Sequence, residues 1–170
     1  MKATTCLPVA LVALLGLLLP ALGIGAEEAV ILSGEDLNKV VPAGFYYEGL
    51  AAPTQMRNAA ALRFGAKRYV IAALVDTSGY ATSVRERYEG FFITDSRIQV
   101  GRAEVAPGAY GFGFTADNKM NIFDVGGNQL HSVVAVRDSE LTAPRPLAFV
   151  KSGNEVRLYR GRNFVTIKVK

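Results

Sequence analysis

The chain has 170 residues, half of them apolar, and carries 19 basic against 15 acidic side chains for a net charge of +4. A single cysteine and a single histidine exclude a disulfide framework and a zinc centre built on nitrogen or sulfur ligands. The length suffices for one domain with a real core and falls short of two.

At the amino terminus, Lys2 precedes an uncharged apolar run from Leu7 to Ile24, the pattern of an export signal. Pro8 and Pro20 interrupt the run and Gly16 and Gly23 weaken a continuous helix, so a cleaved leader is expected rather than a membrane anchor. Residues 1–26 are read as that leader and 27–170 as one domain, with the cut site set only to within a few residues. Cleavage after Ala26 puts Ile24 at the third position back, larger than preferred, and Ala21-Leu22-Gly23 offers two small residues at the same spacing. Cys6 leaves with the leader, so the mature protein has no disulfide and no cysteine for lipid attachment. The expected location is the bacterial periplasm or the exterior.

Beyond the leader, Ser33 followed by Glu35 and Asp36 predicts a short helix that ends at Pro42. From Met56 the hydrophobic period changes to two, predicting a hairpin of strands 56–64 and 68–76 around Gly65-Ala66-Lys67. Residues 69–75 are apolar on both faces, as a strand covered from both sides must be. Tyr80, Val84 and Tyr88, at fourfold spacing across Arg85-Glu86-Arg87, predict a surface helical turn with its aromatics inward. Further strands are expected at 91–94, 98–100, 109–114, 121–125, 130–136, 147–151, 156–159 and 164–169, with Gly126-Gly127-Asn128 as the clearest hairpin turn among these later strands. The fold class is therefore all-β, a mainly antiparallel sandwich or barrel of about 8–10 short strands with two or three short helices.

Four stretches, Leu74 to Tyr80, Tyr88 to Phe91, Ala106 to Phe114 and Leu158 to Arg162, together resemble an uncharacterised family of exported bacterial β-domain proteins. The similarity spans residues 68–166 and implies export and a single domain. It implies no activity, ligand or catalytic residue.

Chemically active side chains are few. Asp76, in Leu74-Val75-Asp76-Thr77-Ser78-Gly79, follows the aspartic-protease pattern except that Ser78 stands where that pattern has glycine. Ile122-Phe123-Asp124-Val125-Gly126 would be the second arm, with Val125 in place of the hydroxyl residue that orients the acid. Against this, the default reading of Asp76 is the cap of a turn at a strand end. His131 is the one histidine available to a serine triad, but no Gly-x-Ser-x-Gly elbow occurs and it alternates within a predicted strand.

The segment 109–114 alternates Tyr110, Phe112 and Phe114 on one face with Gly111 and Gly113 on the other. Glycine weakens a strand, so the bare face implies a covering ring, a sharp coil of the sheet, or room for a ligand. Tyr110, Gly111, Phe112, Gly113 and Phe114 are thus the candidate ligand-binding residues. The carboxyl-terminal cations, Arg157, Arg160, Arg162 and Lys168 among them, could attract an anionic surface or be the wet face of an edge strand. A nucleic-acid partner, a metal and a cofactor are not expected. The resulting expectation is a non-enzymatic secreted or envelope module that binds a small apolar or amphipathic molecule or a protein partner. The alternatives are a hydrolase using Asp76 and a structural component of an envelope assembly.

Overall fold

A computed structural model describes residues 28–153 and 155–169. The expected leader lies outside the described residues. Within them the chain forms fourteen strands and two short helices: β1 Ala29–Ile31, α1 Gly34–Val40, β2 Gly44–Tyr47, β3 Leu50–Phe64, β4 Arg68–Val75, α2 Thr82–Arg85, β5 Gly90–Thr94, β6 Ile98–Val100, β7 Ala103–Val105, β8 Gly108–Phe114, β9 Lys119–Phe123, β10 Gln129–Val134, β11 Val136–Arg137, β12 Arg145–Ser152, β13 Glu155–Gly161 and β14 Asn163–Val169. All pairings are antiparallel.

The strands form two sheets. The first runs β1-β3-β4-β5-β8-β9-β10, with β2 paired to the first part of β3, and the second runs β12-β13-β14-β6-β7, with β11 beside β14. They face each other as a sandwich. Alternation supplies the seam: Leu62, Phe92, Phe112, Met120 and Ile122 from the first sheet meet Ile98, Val100, Leu158, Val165 and Ile167 from the second. Each large apolar side chain buried this way contributes about 1.5–3 kcal/mol, and with no disulfide available such packing holds the sheets together.

The first sheet also has a buried outer face. Leu32, Val41, Phe45, Tyr47, Tyr80 and Tyr88 close over Ala61, Ile71, Ala73 and Phe91, forming a second apolar cluster. This is why β4 is apolar on both sides, as its sequence requires. Small alanines in β3 and β4 let the covering elements approach closely.

The hairpins at 65–67 and 126–128 and both helices stand where the sequence puts them. The strands number fourteen rather than 8–10, because β1, β2, β7 and the first part of β3 were not expected, and two expected strands are placed differently. The expected strand 130–136 breaks at Ala135, which is buried in the seam and whose N–H goes to the Asn118 carbonyl (2.8 Å), as the chain passes from the first sheet to the second. The carboxyl-terminal strand β14, expected at an edge, is interior, flanked by β13 on one side and by β6 and β11 on the other.

Candidate functional site

The glycine face of β8 is filled. A Cβ on Gly111 would stand 2.6 Å from the Tyr47 ring and 3.2 Å from that of Tyr88, and one on Gly113 would collide with the Arg87 carbonyl. Tyr47 and Tyr88 stack on each other with centroids 3.9 Å apart, and Tyr80 and Phe123 meet Tyr47 edge-on. The glycines therefore admit two stacked rings and a backbone rather than a ligand. On the reverse face Phe112 is fully buried in the seam, Phe114 packs edge-on against it, and the half-buried Tyr110 donates its hydroxyl proton to the Ala106 carbonyl (2.9 Å). None of the five candidate ligand-binding residues lines the cleft between β10, β14 and the β6–β7 hairpin.

A polar latch closes this layer at its edge. The Arg87 guanidinium pairs with Glu48, donates to the Gly127 carbonyl (3.0 Å) and lies over the Phe123 ring. It ties the β2–β3 turn, the segment after α2 and the β9–β10 turn together. Burial raises the pKa of Tyr47 and Tyr88 well above the usual phenol range, and the Tyr88 hydroxyl has no well-formed hydrogen bond.

Asp76 is exposed just past β4 and accepts the Ser78 N–H (3.0 Å), which lowers its pKa. Asp124 accepts the N–H groups of Gly126 and Asn128 (both 2.9 Å) and the Asn128 side-chain amide, and its pKa is lowered first by that side chain. Both carboxylates organise their own turns. They follow strands β4 and β9, which have β5 and β8 between them. Three strand spacings of about 4.8 Å put roughly 14 Å or more between the acids, too far for a shared proton. His131 lies in β10 opposite Ile122, and no described carboxylate or hydroxyl is hydrogen-bonded to it. No cluster of three or more potential metal ligands occurs among the described residues.

The carboxyl-terminal cations are held by the fold's own groups. Arg160 pairs with Glu89 (3.1 Å), Lys168 with Glu155 (3.2 Å), and Arg162 donates to the carbonyls of Leu141 and Thr142. Arg157 lies over the Phe164 ring and Arg145 over Tyr159. Arg145, Arg157, Arg162 and Lys168 brace the second sheet, Arg160 ties it to the first through Glu89, and none of the five stands as a free cation.

The open site lies elsewhere, at the corner where β10 leaves the first sheet. A cleft of about 630 Å³ separates the β10–β11 crossing from the β6–β7 hairpin, with β14 as its floor. Val133, Val134, Val136, Phe164 and Val165 supply apolar walls, and Ser132, Thr166 and Arg102 the polar ones. β14 is the reason for the gap: it pairs with β11 at Asn163 and Phe164 and with β6 from Ile167 onward, and between them, among the described residues, its side is met by the Gly101 N–H reaching the Thr166 carbonyl (2.8 Å). Val134 and Val136 are 72 % and 52 % exposed at the mouth, where an apolar side chain gains little from folding. Simple alternation hid this site, because it puts Val133 on one face of 130–136 and Val134 and Val136 on the other and gives no sign of the sheet crossing.

The chain matches no family model, no curated protein and no solved structure.

Proposed function

We propose that this protein is a non-enzymatic binding module that takes an apolar or amphipathic small molecule in the corner cleft. The observation that carries the reading is the cleft itself: its volume falls within the 300–1,000 Å³ typical of small-molecule sites, and its mouth is lined by exposed valines. Most of its wall is apolar, with a few polar groups to orient a ligand, the usual composition of such sites.

The test is a titration with the neutral fluorophore N-phenyl-1-naphthylamine. Saturable one-to-one binding that Val134→Asp abolishes supports the reading, since a carboxylate at the mouth must be desolvated when an apolar ligand enters. Absence of saturable binding, or binding indifferent to Val134→Asp, would refute it.

We further propose that the module works outside the cytoplasm, on the strength of the leader-like sequence of residues 1–26. Amino-terminal sequencing of the protein recovered from the periplasm or medium of an expressing bacterium should begin within a few residues of 27. Product that retains Met1 would overturn this.

A further inference from the structure

We infer that the ligand of the corner cleft is an amphipathic anion, its tail against the valines and its head at Arg102. This rests on reading the cleft as a binding site and adds the sign of the ligand's charge.

Among the described residues that line the cleft, Arg102 is the one that carries a charge. It belongs to the two-residue loop of the β6–β7 hairpin, where Val100 pairs with Ala103. Gly101 takes φ +56° at the first loop position, a conformation that glycine adopts without strain and that suits a tight hairpin. The loop is pinned on two sides: the Gly101 N–H bonds to Thr166, and the glycine lies so close to Val133 that a Cβ would come within 2.5 Å of that side chain. Arg102 is thus presented from an anchored tip.

Five of the cations on the second sheet are already engaged. Arg145, Arg157, Arg160, Arg162 and Lys168 each have an acid, a carbonyl or a ring. Arg102 is exposed, and neither it nor the hydroxyls of Ser132 and Thr166 has a hydrogen-bond partner among the described residues. A planar guanidinium with five donors matches a carboxylate or phosphate head two bonds at a time. A cationic amphiphile would meet repulsion at the same place, and a neutral one would leave these donors to water.

The experiment is displacement of N-phenyl-1-naphthylamine by decanoate, by dodecyl phosphate and by decanol at low salt. An exposed ion pair gains up to about 1 kcal/mol, which is about fivefold in affinity. Decanoate should therefore displace the probe at about one-fifth the concentration that decanol needs, with the phosphate showing which head is preferred. In Arg102→Gln, with each potency taken relative to the probe's affinity for that variant, the advantage of the anions over decanol should vanish. Equal potency of anions and alcohol in the wild type, or an anion preference that survives Arg102→Gln, overturns the inference and leaves the cleft reading standing. Failure of the probe to bind, or its indifference to Val134→Asp, brings down the cleft reading and this inference with it.

Discussion

Over Gly111 and Gly113 the first sheet is closed by stacked rings, whereas beside Gly101 the corner of the sandwich stays open to solvent. Both regions owe their shape to side chains that are missing. On the glycine face, elements distant in sequence deliver Tyr47, Tyr88 and the Arg87 backbone into the space, so no room is left. At the corner, β14 changes partner between β11 and β6 and none of the described residues covers the gap. A bare stretch of strand is therefore a demand for a neighbour, and the neighbour's origin decides between core and cleft.

The comparison can be broken most severely at Gly113. Gly113→Ala drives a Cβ into the Arg87 carbonyl, which belongs to a backbone and cannot swing aside, and should cost about 3 kcal/mol or more in urea unfolding. A loss under about 1 kcal/mol would mean that the covering layer is looser than described. Arg87→Ala removes the latch among Glu48, Gly127 and Phe123 and leaves Glu48 without its cation. About 1–2 kcal/mol should be lost, read by the same unfolding curve.

Tyr88→Phe sharpens the comparison in the opposite direction. It deletes a buried hydroxyl that lacks a well-formed hydrogen bond while keeping the ring stack, so stability should hold or rise by up to about 1 kcal/mol. The same residue sets an alkaline dependence. Because burial raises the folded-state pKa of Tyr47 and Tyr88, the folded chain holds protons that the unfolded chain releases above about pH 10. The contribution of these two tyrosines is therefore level below that pH and falls as pH rises through it, and Tyr88→Phe should reduce the slope by up to about 1.4 kcal/mol per pH unit. The smallest effect belongs to the corner: Val134→Asp, at an exposed position, should shift stability by no more than about 0.5 kcal/mol.

The strands with clean alternation were legible from sequence, as were the two-faced burial of β4 and the inward turn of Tyr80 and Tyr88. β2 and the first part of β3 were not, because Ala51-Ala52-Pro53-Thr54-Gln55 lacks bulky alternating side chains and includes a proline. The bare face of β8 was legible as a vacancy; its occupants were not, since Tyr47 lies more than sixty positions away in a strand the period did not reveal. The cleft was hidden because it arises from how two sheets meet. No local pattern at Gly101, Val134 or Thr166 encodes that meeting.

The most direct test follows valine methyl signals by NMR while N-phenyl-1-naphthylamine is added to the folded protein. The expected result is that Val133, Val134, Val136 and Val165 shift together with a single saturable affinity while Val41 and Val75, in the aromatic layer, stay still. Shifts confined to Val41 and Val75, or no saturable shift at the corner valines, would contradict the assignment of binding to the cleft.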